Sequence, residues 1–242
     1  MDNSRKSVNF IRFNLSGIYD GMDNTVDLTD IKGTNCFCDE EAEKEIGRRI
    51  DSFGELPPVR FIDTGNYHYM SFLLMKRIRT SFALLLLDNH PDAKLPDFFD
   101  ITSCGDWVRK ACESLDNLKQ VIMAGVDPKL IEEAGPLPDK IRVCTLDQAV
   151  DAIEQINSRM DIYISLDKDI FNTDYARTDW SQGDYTPDHI LPVICSVRSC
   201  LALDICGDHK DYSSKGGSGL SERTNKTILD QIKKRGKPRF AI

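Results

Sequence analysis

Short apolar runs alternate along this chain with longer segments in which apolar residues recur every three or four positions. Val8–Phe13, Val59–Ile62, Phe82–Leu87, Gln120–Ala124, Ile141–Cys144, Ile162–Leu166 and Leu201–Ile205 read as strands. Phe82–Leu87 contains no polar position, the pattern of a strand covered on both faces. Asp39 to Ile50 reads as a helix, with Asp39 as N-cap and Ala42, Ile46 and Ile50 on one face. Tyr69 to Arg79 reads as another, apolar at its start and basic in its last turn, as the helix dipole favours. Trp107–Leu115 is a third. Thr145 and Gln148 have capping-box spacing ahead of Ala149, Val150, Ile153 and Ile156. Pro187 follows Thr186 at the first position of a helix that Ile190, Ile194 and Val197 continue. Ser221 to Lys234 is a closing helix. Residues 88 to 103 and 170 to 185 are loops, and Gly216–Gly219 reads as a flexible connection.

Strands separated by helices imply right-handed crossovers and a mainly parallel sheet with helices on both faces, an α/β fold. The 242 residues suit one domain, with residues 1–58 a candidate N-terminal elaboration. The mixture of 40% hydrophobic and 29% charged residues excludes wholesale disorder. A net charge of −8 argues against nucleic acid and anionic membrane surfaces as partners. No apolar stretch is long enough to span a bilayer, and no leader pattern follows Met1. Eight cysteines without a C-x-x-C pair suit reduced thiols and a cytoplasmic protein rather than a zinc ribbon.

In open parallel sheets ligands bind beyond the carboxyl ends of the strands. Three strand ends here carry chemistry: Asp63-Thr64-Gly65-Asn66-Tyr67-His68, Asp88-Asn89-His90-Pro91-Asp92 and Asp167-Lys168-Asp169. In extended backbone residues two apart point the same way, so each set can face a common centre. Oxygen and nitrogen ligands without thiolate suit Mn²⁺, or Fe²⁺ or Co²⁺, better than structural zinc. Six ligands, His68, Asp88, His90, Asp92, Asp167 and Asp169, exceed the needs of one open ion. They suit two, bridged by carboxylates about 3.5 Å apart with a shared hydroxide as nucleophile. A lone Asp after a strand is ordinarily a turn or cap residue; three such elements in this order are not.

Gly65-Asn66-Tyr67-His68, Asp88-Asn89-His90-Pro91-Asp92 and Ser165-Leu166-Asp167-Lys168-Asp169 resemble the metal motifs of the arginase/agmatinase (ureohydrolase) superfamily over residues 59 to 235. The resemblance implies a three-layer α/β/α sandwich. It implies Asp88 and Asp167 as bridges, His68 and Asp92 completing one ion site, and His90 and Asp169 completing the other. It implies hydroxide attack on a guanidinium carbon, giving urea and an amine. The family's substrate-binding Glu after the last strand is absent from Asp204-Ile205-Cys206-Gly207-Asp208-His209, where Asp208 is its nearest substitute. The family's proton-shuttling His is also absent, leaving His209 or Asp106. Lys168 replaces an apolar residue between two ligands and is expected to point away from the metals. Asp92, Asp106, Asp208 and His209 are thus the candidate catalytic side chains.

Expected substrates are a small guanidino or amidino compound or a peptide arginine side chain, and family members commonly form homo-oligomers. The alternatives are a deacetylase-like amidohydrolase, which would want a His-His pair that this chain lacks, and a catalytically inactive metal-binding regulatory protein. His189 reads as a surface residue, Cys104 as a buried thiol, and Trp107 as either a pocket wall or core. Arg177, Asp179 and Trp180 stand on a loop expected to border the site.

Overall fold

The computed structural model describes residues 9–96, 101–209, 219–236 and 238–241. It opens with strands β1 (Phe10–Asn14), β2 (Thr25–Asp27) and β3 (Phe37–Cys38), then helix α1 (Glu40–Ser52). Next come β4 (Val59–Ile62), α2 (Met70–Met75), β5 (Phe82–Leu87), β6 (Thr102–Ser103) and α3 (Trp107–Ser114). The middle holds β7 (Leu118–Ala124), α4 (Pro128–Ala134), β8 (Ile141–Cys144), α5 (Leu146–Ile156) and β9 (Asp161–Asp167). The last elements are α6 (Pro187–Ser196), β10 (Ser199–Cys206), α7 (Leu220–Arg235) and β11 (Arg239–Phe240).

Nine of the described strands form one parallel sheet, ordered β2-β1-β4-β10-β9-β5-β7-β8, with β11 against β10. The two-residue alternation of strand side chains divides the core in two. Phe82, Leu84 and Leu86 of β5 face one side, with apolar residues of α1, α2 and α3. Ala83, Leu85 and Leu87 face the other, with α5, α6 and α7. Three layers result, as the superfamily resemblance implied.

Local chemistry fixes most helix starts. Asp39 accepts from Ala42 N at 2.8 Å, and Thr145 and Gln148 form the reciprocal capping box. Asp127 caps α4, with Pro128 in its first turn; this Asp-Pro start signal falls outside the sequence expectations. The expected helix over 69–79 is shorter, since α2 stops at Met75 and tightens into single turns through Ile78. The basic residues therefore lie beyond the helix rather than in its last turn. Arg77 turns back to the Leu73 and Gly47 carbonyls and to Asp51. Within the expected 88–103 loop, β6 pairs antiparallel with β3. Of Gly216–Gly219, only Gly219 lies within the described residues. Among those residues no helix is long and apolar enough to cross a membrane.

Candidate metal centre

The sheet order puts β4, β10, β9 and β5 side by side, so their carboxyl ends converge. β4 runs through a short 3-10 turn to His68, Asp88 follows directly on the last residue of β5, and β9 ends on Asp167. Every member of the set is buried except His90, which is partly exposed.

Two donor groups share one carboxylate. His68, Asp88 and Asp92 offer ligand atoms within 4.8 Å of one another, and so do Asp88, His90 and Asp169. Asp88 thus stands between two clusters, as a bridging ligand would. Asp167 joins the first, with Oδ2 3.4 Å from His68 Nδ1. It also belongs to a third grouping, with His68 and Cys206.

The orientation of each ligand is set by a further hydrogen bond. His68 Nε2 meets Ser165 Oγ at 2.8 Å, which turns Nδ1 toward Asp92 Oδ2 at 2.9 Å and Asp88 Oδ2 at 3.2 Å. Ser165 leads on to Ser71 and from there to Asp204. Trp107 Nε1 donates to Asp92 Oδ2 at 2.6 Å, and its ring lies 4.9 Å from that of His68. Asp92 itself has a left-handed backbone, φ 45°, uncommon outside glycine. Asn89 N donates to Asp169 Oδ1 at 3.0 Å, while Ser181 Oγ meets His90 Nε2 at 2.9 Å.

The donor set fits a pair of divalent cations. Asp88 Oδ2 is buried without a hydrogen-bond partner and faces the cluster. Burial, joined by Asp88, pushes the Asp92 carboxyl up to about 6. Burial also raises Asp169, with Asp167 adding to it, and raises Asp167, with Asp88 adding to it. Burial would depress His90, but Asp169 and Asp88 outweigh it and lift the imidazole to about 11. Four carboxylates crowded out of water thus draw in positive charge from wherever it is available. Burial pushes the Cys206 thiol well up and so keeps it from being a thiolate ligand, and the remaining oxygen and imidazole donors suit Mn²⁺ or its neighbours.

The remaining candidates separate. Asp106 lines the pocket, is buried, and accepts from Ser103 N at 2.8 Å. Asp208 is turned away from it: its carboxylate meets Lys168 Nζ, the Tyr19 hydroxyl and Asn225 Nδ2. The two departures from the superfamily pattern, Lys168 and Asp208, are therefore partners in one buried ion pair, and Lys168 is turned to Asp208 and Asn225 rather than into the pocket. This geometry counts against Asp208 as a substrate-binding carboxylate. His209 lies 3.7 Å from Asp179, beyond the pocket lining. At Gly207, φ 82°, a Cβ would come within 2.3 Å of Asp167 Oδ1, so no side chain fits there.

Other residues settle into plain roles. His189 accepts from Thr186 N at 3.2 Å and caps α6. Cys104 is buried, and burial pushes its thiol well up. Trp107 is both core and ligand support. Trp180 lines the pocket. Sequence reasoning did not assign roles to Ser71, Ser181, Tyr19 or Asn225, whose parts depend on contacts between distant segments.

No family model matches the chain. An uncharacterized protein of Thermotoga maritima is 30% identical over 177 residues, 72% of this chain and 67% of that protein. The two chains belong to one family. Among solved structures, formimidoylglutamase from Bacillus subtilis superposes with TM-score 0.60 at 14% identity over 88% of this chain. Proclavaminate amidino hydrolase from Streptomyces clavuligerus gives 0.61 at 14% over 87%. A hypothetical agmatinase from Burkholderia thailandensis gives 0.56 at 17% over 81%. The fold is that of the arginases and agmatinases. This chain spans 70%, 74% and 64% of those three solved chains, respectively. On this arginase-like fold the stretches that follow β4 and β5 and the end of β9 open on a pocket of about 300 Å³ lined by all six candidate ligands.

Proposed function

We propose that the chain is a divergent ureohydrolase-type enzyme: a two-metal hydrolase of C–N bonds in a guanidino or amidino compound. The observation that carries this reading is the position of Asp88, common to a His68–Asp92 cluster and a His90–Asp169 cluster in one buried pocket. The fold neighbours, among them an amidino hydrolase and a formimidoylglutamase, support the class. Mn²⁺ is the proposed metal. Eight free thiols support a cytoplasmic setting.

The chain's own residues do four things in this reading. His68 and His90 are held by Ser165 and Ser181 with their Nδ1 atoms toward the carboxylates. Trp107 and the Asn89 amide fix Asp92 and Asp169, so little reorganisation accompanies reaction. Bound divalent ions supply an activated water and Lewis-acid stabilisation of charge on the trigonal centre. Trp180 screens the site, and Asp106 is the carboxylate outside the ligand set that faces the substrate's nitrogens. The role that the superfamily gives to a Glu after the last strand passes to Asp106, because Gly207 admits no side chain and Asp208 is held by Lys168.

The test is a metal count followed by turnover. Protein stripped with chelator and reloaded with Mn²⁺ should hold two ions per chain and release urea or ammonia from some member of a guanidino and formimino panel. Asp88→Asn should lose both ions together and with them all turnover. One residual ion in that variant, or no bound metal in the parent, would sink the reading.

A further inference from the structure

Large apolar side chains are unevenly exposed on this molecule. Among the described residues six stand well out of the surface, and three of them, Phe37 (40% exposed), Leu95 (63%) and Trp180 (41%), line the metal pocket. They come from three separate segments: β3, the loop after β5 and the loop after β9. Scattered single apolar residues need no explanation, but exposed ones gathered around one pocket mark a binding surface.

This wall is held in place. Trp180 Nε1 donates to Asn66 Oδ1 at 3.0 Å, and a Cβ at Gly65 would come within 2.8 Å of the Trp180 ring. The ring meets the His90 imidazole edge-on with centroids 6.0 Å apart, so apolar surface runs from the rim to a candidate ligand. Phe37 is set by the pairing of β3 with β6. The polar counterpart is thin. Outside the ligand set, the charged residues lining the pocket among the described ones are Lys94, exposed, and Asp106, buried with Oδ1 accepting from Ser103 N. A substrate carboxylate meets Lys94 alone among these, and because Lys94 is exposed that contact is screened by solvent and worth little against the hydration the carboxylate gives up. The cavity is at the small end of the range for small-molecule sites, which suits a compact tail rather than a protein partner.

We propose that the pocket selects amidino compounds with an apolar tail, N-alkyl or N-arylalkyl guanidines, over guanidino acids and over arginine. The proposal rests on the metallohydrolase reading for the anchoring of the amidino group, but it is read out in binding and not in turnover. Calorimetry on the full chain loaded with Mn²⁺ would compare ethyl-, butyl-, hexyl- and phenethylguanidine with 4-guanidinobutyrate, arginine and an arginine tripeptide. Affinity should rise about 2- to 4-fold for each methylene reaching the rim. Butylguanidine should bind more tightly than 4-guanidinobutyrate, and Leu95→Asn should flatten the series. A flat series, tighter binding of the guanidino acid or the tripeptide, or no binding at all would overturn the proposal. A steep series with no turnover on any member would instead overturn the catalytic reading and leave the specificity standing.

Discussion

At the scale of single residues, the Lys168–Asp208 pair gives the sharpest expectation. Both side chains are buried, and Lys168 Nζ also donates to Asn225 Oδ1 at 3.1 Å. Removing one member of a buried ion pair leaves an uncompensated charge, typically a loss of about 3 to 5 kcal/mol, whereas replacing both is far milder. Lys168→Met should therefore destabilise strongly, and Lys168→Met with Asp208→Asn should recover most of the loss in urea unfolding. Additive losses would show that the two side chains do not act as a pair. Trp107 makes a different prediction. Trp107→Phe keeps the ring against His68 but deletes the donor to Asp92, so Mn²⁺ affinity measured against a competing chelator should fall about 10- to 100-fold. Unchanged affinity would remove Trp107 from the metal centre. The contrast explains what could be read beforehand. The six candidate ligands sit in three compact stretches, each just past an apolar run. Their supports do not: Ser71 and Asp204, which bond at 2.9 Å, are 133 residues apart. Only the strand order brings them together, and no local pattern encodes it.

At the scale of elements, legibility followed the strength of the local signal. Fully apolar β5 and the Thr145–Gln148 box are where the pattern put them, because burial on both faces and reciprocal capping each leave a distinct residue signature. The short strands β2, β3, β6 and β11, of two or three residues, carry too few positions to show an alternation. Their pairing with neighbours makes them strands, not their composition. The case of α2 is similar: its apolar residues continue the helical period, but Arg77 caps the Leu73 carbonyl and binds α1, ending the helix early. The capping box offers a clean check on this scale. Thr145→Ala deletes the bond to Gln148 N and should lower stability by about 1 kcal/mol, read as a shift in the urea midpoint with unchanged slope. Because α5 packs on the face of the sheet without contributing a ligand, metal content should stay the same; a loss of metal would show that α5 is coupled to the site.

At the scale of the whole molecule, the buried ligand cluster ties stability to pH and to metal at once. Asp92, held at about 6 by burial and by Asp88, keeps its proton more tightly folded than unfolded. An acid raised by folding contributes stability below its unfolded value, near 4, and loses it as pH climbs through the folded value. Asp167 and Asp169 are raised as well and act in the same direction. His90, lifted to about 11 by Asp169 and Asp88 against the pull of burial, contributes below about 6.5 and fades as pH rises toward 11. Metal-free protein should therefore lose stability steadily from pH 5 to pH 8. Divalent metal replaces those protons, so its binding is favoured as pH rises and opposed as pH falls. Mn²⁺ at about 100 times its Kd should add about 2.7 kcal/mol near neutrality for each ion bound. The gain should shrink as pH drops through 6, where Asp92 takes its proton back. Thermal melts of chelator-stripped protein with and without Mn²⁺ at pH 5.5 and 7.5 decide the matter. A widening gap at the higher pH is what four crowded carboxylates require. An equal gap at both values would mean that metal binds elsewhere, and that Asp88, Asp92, Asp167 and Asp169 are neutralised by protons and imidazoles alone.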